Sequence, residues 1–206
     1  MLLMLCIVAR AQTTHERVQN RASSSSVERE GVRRSQSSDA LYEQGKKLYD
    51  QKKYTEAVKK LTPAAEKGHK KAQYRLGRCY DKGNGVVENN QKAFQWYLKS
   101  AAQGYAKAQY QVGRCYKKGK GVDKDKVKAF QYFSKAAKQG NAKAQFALGE
   151  CYFEGKGVAQ DKAKAKACFL KALNDEKDGK EILEDLRKDA ADGDEDAIAI
   201  KKFLGK

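Results

Sequence analysis

An all-α solenoid of antiparallel helix pairs is the fold this sequence predicts, and three observations carry the prediction. The first is a period. Gly77, Gly113 and Gly149 lie 36 residues apart, as do Ala72, Ala108 and Ala144, Cys79, Cys115 and Cys151, and Gly85, Gly121 and Gly157. Self-similarity at a fixed spacing of this size marks stacked supersecondary units. The second is the apolar spacing inside each unit. Ala72, Leu76, Cys79 and Tyr80 fall at i, i+4, i+7 and i+8, one face of a helix termed A. Ala93, Phe94, Tyr97 and Ala101, repeated as Ala129, Phe130, Phe133 and Ala137, make the stripe of a second helix, B. The third is punctuation. A Gly-x-Gly-Val joint separates A from B at residues 83–86, 119–122 and 155–158, and Asn89, Asp125 and Asp161 stand where an N-cap is wanted. Gly68, Gly104 and Gly140 close the B helices.

The glycine inside helix A carries its own prediction. Gly77 costs about 1 kcal/mol there relative to Ala, so its return in every copy implies that a neighbouring helix passes close at that point. In the joints, glycine permits the reversal and Val86, Val122 and Val158 plug the space between helices. The solenoid is predicted over residues 40–206: a degenerate repeat at 40–71, full repeats at 72–107, 108–143 and 144–173, and capping helices over 174–206. In the degenerate unit Leu41, Gly45, Leu48 and Tyr49 resemble an A helix. Tyr54, Ala57, Val58, Leu61, Ala64 and Ala65 resemble a B helix, but the Gly-x-Gly-Val joint is missing. Pro63 lies late in that B helix, where a bend or early break is expected. Past Leu173 the pattern drifts into an acidic helix near 180–191 and another near 197–204, the divergence expected of terminal units that cover an open core end.

Ahead of the solenoid, MLLMLCIVARA (1–11) holds a nine-residue apolar run followed by Ala9, Arg10 and Ala11. That reads as the end of a truncated secretory signal with a small-x-small cleavage site, which places the protein in the periplasm or outside the cell. No basic residue precedes the run, so the alternative is an apolar stub on a cytoplasmic protein. The run is too short to span a bilayer. Residues 12–39 are polar, rich in Ser and Arg, and lack apolar periodicity, the composition of a disordered linker.

Taken together, A-x-x-x-L-G-x-x-Y, G-x-G-V, an Asn or Asp cap, K-A-x-x-W-Y and A-A-x-x-G resemble the Sel-one-like repeat, a relative of the tetratricopeptide repeat. The resemblance covers residues 72–173 in three full copies. It implies a right-handed superhelix of antiparallel helix pairs acting as an adaptor for other macromolecules, and it implies no reaction.

Charge is the second functional signal. The chain carries a formal net charge of +17. Residues 40–173 hold 30 Lys and Arg against 11 Asp and Glu, whereas residues 174–206 hold 7 basic and 11 acidic side chains, so a basic body ends in an acidic cap. Repetition converts single lysines into ladders, such as Lys92, Lys128 and Lys164 or Lys99, Lys135 and Lys171. A ladder can be a solvated face that keeps the protein soluble or a binding surface. In related repeats the A helices line a concave groove, which here would present Lys71, Tyr74 and Arg78, then Lys107, Tyr110 and Arg114, then Lys143 and Phe146 with Glu150. Aromatic plates between cations suit an acidic protein or peptide segment, held by stacking and charge-assisted hydrogen bonds. The competing reading packs Tyr74 and Tyr110 between repeats and leaves the charges wet.

Cys79, Cys115 and Cys151 occupy one site in successive repeats. Helices pack about 8–10 Å apart, too far for these three to bridge one another, so they read as small core residues. Cys168 replaces Trp96 and Tyr132 on the B helix that folds back on the helix of Cys151, so a Cys151–Cys168 disulfide is geometrically open in an oxidising compartment. Only two histidines occur, His15 in the linker and His69 at a turn, too few for a zinc cluster and without a triad arrangement. The glycine joints lack the lysine of a phosphate-binding loop. No cofactor is implied. The sequence points to a non-enzymatic scaffold presenting a basic groove to an acidic protein or peptide. The alternative is direct binding of an anionic polymer, either cell-envelope polysaccharide or nucleic acid.

Overall fold

The structure, a computed structural model, describes residues 37–205. The apolar start at 1–11 and all but the last three residues of the predicted linker lie outside the described residues. Ten α-helices follow one another: α1 (Ser38–Asp50), α2 (Tyr54–Glu66), α3 (Lys70–Lys82), α4 (Asn90–Ala102), α5 (Ala106–Lys118), α6 (Lys126–Lys138), α7 (Ala142–Glu154), α8 (Lys162–Leu173), α9 (Gly179–Ala191) and α10 (Glu195–Leu204). They pack as sequential antiparallel pairs, each odd helix against the next even one. The odd helices are the A helices of the sequence pattern and the even ones the B helices.

The helix starts follow from side-chain oxygens and nitrogens that accept otherwise free amides. Asn89 Oδ1 accepts from Lys92 at 2.9 Å, Asp125 Oδ1 from Lys128 at 2.8 Å and Asp161 Oδ1 from Lys164 at 2.9 Å, as the spacing predicts. His69, which the sequence places at a turn, caps α3. Its Nδ1 accepts from Ala72 at 3.1 Å while its ring stacks on Tyr42 at 4.4 Å. The first helix begins at Ser38, capped by Ser37, two residues ahead of the expected start. Pro63 does not end α2, which runs on to Glu66.

Packing explains the glycine within each A helix. A Cβ added at Gly77, Gly113 or Gly149 would lie 2.7, 2.6 or 2.7 Å from the ring of Tyr97, Phe133 or Phe169. Each ring is fully buried and lies across its glycine, and burying a side chain of this size contributes roughly 1.5–3 kcal/mol. The second glycine of each joint does a different job. Gly121 (φ +73°) lies so close to the Asn90 carbonyl that a side chain could not fit, and Gly157 (φ +80°) meets the Lys126 carbonyl in the same way. Each joint therefore rests on the first residue of the preceding B helix, which sets the offset between repeats.

Buried glutamines add a polar seam. Gln73 Nε2 donates to the Ala65 carbonyl at 3.0 Å and its Oε1 accepts from Gln103 at 2.7 Å. Gln109 repeats the pattern with Ala101 and Gln139, and Gln145 donates to Ala137. The A helices α3, α5 and α7 are thus each tied to the end of the B helix before them by a hydrogen-bonded polar group, which avoids the cost of an unpaired buried amide. The core continues through α8 into the terminal pair, where Phe169, Leu186, Ala197 and Ile200 form one buried cluster.

Candidate functional site

The A helices bring the charged positions of successive repeats onto one side of the molecule. There α5, α7, α9 and α10 enclose a cavity of about 580 Å³. Its floor includes Tyr110, Phe133, Phe146, Ile182 and Leu186. One side carries Arg114, Lys117 and Lys118 of α5, Lys143 of α7 and Lys156 of the following joint, with Glu150 and Glu154 of α7 among them. The other is acidic: Asp185 and Asp189 of α9, Asp194 capping α10 and Asp196 within it. The acidity of the C-terminal segment was plain in the sequence. That it faces the basic groove was not, because the aspartates follow no repeat register.

Of the eight predicted groove residues, Tyr110, Arg114, Lys143 and Phe146 line this cavity. Lys71 and Lys107 are exposed in the first turns of α3 and α5. Lys71 borders a separate, shallower depression with Asp39, His69 and Gln103. Arg78 is half-buried one repeat ahead of Arg114, with its guanidinium 5.8 Å from the Tyr49 ring centroid. The aromatic residues are packed between helices. Tyr74 contacts the rings of Tyr97 and Tyr105 at 5.9 and 5.3 Å, Tyr110 that of Phe133 at 5.9 Å, and Phe146 that of Phe169 at 4.9 Å. Burial pushes the Tyr110 phenol above its ordinary pKa. Tyr49, which receives both Arg75 and Arg78 on its ring, was not among the expected residues. It sits in the degenerate first repeat, at the position occupied by Asp81 and Lys117 in the next two, so the period did not point to it.

Four cations on this side are already paired with carboxylates of the chain. Lys117 Nζ is 2.7 Å from Glu150, Lys143 Nζ is 2.6 Å from Glu181, and Lys120 Nζ is 2.6 Å from Asp81. Lys156 pairs with Glu154 and reaches Asp196 at 3.5 Å. Burial disfavours the charge of Lys117, but the Glu150 carboxylate outweighs it and raises the lysine pKa. Burial also pushes Glu150 up, with Lys117 offsetting part of that. Among the described residues Lys71, Lys107 and Lys118 have no such pair, and neither have two arginines. Among the described residues no carboxylate lies within ion-pair distance of Arg78 or Arg114. Arg114 rests over Tyr110 at 5.9 Å and donates to Gln111 at 3.2 Å.

The four described cysteines are free thiols. Cys151 packs with Ala129, Phe133 and Ala147, facing the preceding repeat, and is not joined to Cys168. Burial pushes Cys79 and Cys115 up to about 11 and Cys151 to about 12, which suits core residues and not nucleophiles. Among the described residues no group of three or more His, Cys, Asp or Glu is placed to hold a metal ion. No described helix is long and apolar enough to cross a membrane.

The Sel1 repeat model matches three times in tandem, at residues 70–105, 106–141 and 142–175, just over half of the chain. This chain belongs to the Sel1 repeat family. A Sel1 repeat protein from Oxalobacter formigenes is 39% identical in its crystal structure, with a TM-score of 0.61 over 64% of this chain and 54% of that one. A protective antigen of uropathogenic Escherichia coli strains that displays the SLR fold is 33% identical, with a TM-score of 0.64 over 76% of this chain and 32% of the antigen. An exopolysaccharide production negative regulator of Rhizobium meliloti is 37% identical over 71 residues, 34% of this chain and 26% of the regulator. The chain thus spans about half the length of the first of these structures and about a quarter of the curated relative. The three Sel1 repeats account for the six helices α3 to α8 and for the recurrence of the groove positions.

Proposed function

We propose that this Sel1 repeat chain is a non-enzymatic protein-interaction scaffold whose A-helix groove takes an acidic segment of a partner protein. One observation carries the reading. Lys117, Lys143 and Lys156 are matched by carboxylates within the chain, while Arg78 and Arg114, one repeat apart on the same face, are not. Each has an aromatic ring beneath it. A guanidinium held over a ring keeps its planar fork available for bidentate bonds to a carboxylate, and two such forks in register select an extended acidic segment. Export to the periplasm or beyond the cell, on the strength of the apolar start, belongs to the same proposal.

The test compares the full chain with an Arg78→Glu, Arg114→Glu variant in affinity capture from lysate and envelope fractions, at low and high salt. A small set of proteins retained by the parent through high salt and lost by the variant at unchanged helicity supports the groove. Equal capture by both moves the site elsewhere, and release of polyanions alone in a single salt step replaces the adaptor reading with polymer binding.

A further inference from the structure

The face made by the three central B helices has an uncommon charge pattern. Helices α4, α6 and α8 carry ten lysines, all exposed, and not one Asp or Glu within their spans. Among the described residues the N-cap aspartates Asp125 and Asp161 pair with two of them, Lys128 at 3.1 Å and Lys164 at 3.0 Å. Among the described residues the other eight have no carboxylate within ion-pair distance. A face that serves solubility alone ordinarily mixes both signs. This one is a single-sign layer on the opposite helices from the groove.

Three features choose among the anionic surfaces it could meet. The cations are lysines, compact point charges without the fork that recognises a single phosphate in fixed geometry. The neighbouring rings are not free platforms for bases. Lys99 lies over Trp96 at 4.4 Å and Lys135 over Tyr132 at 5.2 Å, and both rings pack against the core on their inner side. Stacking of a single strand needs open rings. Finally, α8 exposes Ala163, Ala167 and Leu170 at i, i+4 and i+7 with lysines on both flanks, and Val127 of α6 is 54% exposed. An apolar ridge between lysines gains free energy on entering the headgroup boundary of a bilayer and gains nothing against a hydrated polymer of charges.

We propose that the B-helix face docks on a membrane surface rich in anionic phospholipid, leaving the A-helix groove turned outward. The probe is flotation of the full chain with vesicles of phosphatidylcholine alone and with vesicles in which about a third of the lipid is phosphatidylglycerol. Binding is expected only to the anionic vesicles, weakening as salt rises. Each lysine near such a surface contributes roughly fivefold to partitioning. Replacing Lys126, Lys135, Lys138, Lys162, Lys166 and Lys171 by Gln is therefore expected to reduce it more than about a hundredfold. Lys and Gln have nearly equal helix propensity, so helicity should persist. Leu170→Ser weakens lipid binding at constant charge, and Arg78→Gln with Arg114→Gln leaves it unchanged. Absence of binding to the anionic vesicles overturns the proposal. So does loss on the arginine substitutions, or full displacement by duplex DNA combined with indifference to Leu170→Ser.

Discussion

Lys143 Nζ in α7 lies 2.6 Å from Glu181 Oε1 in α9, which ties the last full repeat to the terminal helix pair across an ion pair at the rim of the cavity. A second tie, Lys156 to Asp196 at 3.5 Å, joins the joint after α7 to α10. Beneath them Ile182, Leu186 and Ile200 supply the apolar contact. The lysines are about a third or more exposed, and exposed pairs contribute roughly 0.2–1 kcal/mol each. Replacing Glu181 by Gln and Asp196 by Asn should therefore change overall stability by no more than about 1–2 kcal/mol. Amide exchange in α9 and α10 should nonetheless accelerate while α3 to α6 stay unchanged, because a terminal unit opens independently in a repeat array. Uniform acceleration along the chain, or none, would show that these pairs do not hold the cap.

The contact between Gly113 and Phe133 makes a sharper prediction. In Gly113→Ala the new Cβ stands 2.6 Å from the ring, which is fully buried and has no room to retreat. Overpacking of this kind costs about 1–3 kcal/mol, more than the gain of about 1 kcal/mol from better helix propensity. Gly140→Ala is the control, since nothing lies within 4 Å of its Cβ and only a positive φ of +81° opposes it. Urea unfolding should show both substitutions destabilising, but only the loss in Gly113→Ala should depend on the facing ring. Adding Phe133→Leu should recover part of the loss, a coupling that a double-mutant cycle measures.

How far the sequence carried the fold can be judged from these same residues. Gly113, Val122 and Asp125 were readable because each recurs at a fixed distance and each has one physical role: close approach, plug or cap. The capping role of His69 was not readable in the same way, because it comes with a stack on Tyr42 from another helix, which no local pattern encodes. At Pro63 the expected break is absent, because the packing of Leu61, Ala64 and Ala65 against the next helix carries α2 past it. In the groove, the period located Arg78 and Arg114 but said nothing of their ion-pair status. That status depends on contacts between helices, where Glu150 and Glu181 pair with Lys117 and Lys143 instead.

The N-caps give the pH dependence. Hydrogen bonds from the Lys128 and Lys164 amides, with their side chains, hold Asp125 and Asp161 below the ordinary carboxylate range. A carboxyl whose folded pKa lies below its unfolded value, about 3.9 for Asp, contributes stability that is present above that value and lost as pH falls through the folded one. The first repeat provides its own neutral counterpart, Asn89, in the same place. Asp125→Asn with Asp161→Asn should therefore leave neutral-pH stability nearly unchanged, since Asn caps as well as Asp. Acid unfolding followed by circular dichroism should then become less steep. An identical acid slope would place the responsible groups elsewhere.

Thiol reactivity tests the core assignment and the disulfide together. The buried thiols of Cys79, Cys115 and Cys151 are pushed up to about 11, 11 and 12, so at mildly alkaline pH almost none is present as the reactive thiolate. Cys168 is half-buried, raised by the same desolvation but with Lys171 opposing it. Brief labelling of the native protein at about pH 8, slightly below the free thiol value, should modify Cys168 first. The other three should follow only at the rate of local or global opening, as read by peptide mapping. Protein recovered from an oxidising compartment adds a second discrimination. If Cys151 and Cys168 form the disulfide, both will resist labelling after unfolding without reductant, while Cys79 and Cys115 become fully reactive. If all four label after unfolding, the cysteines are core side chains in every compartment, and the close packing of Cys151 with Ala129 and Phe133 is sufficient reason for its presence.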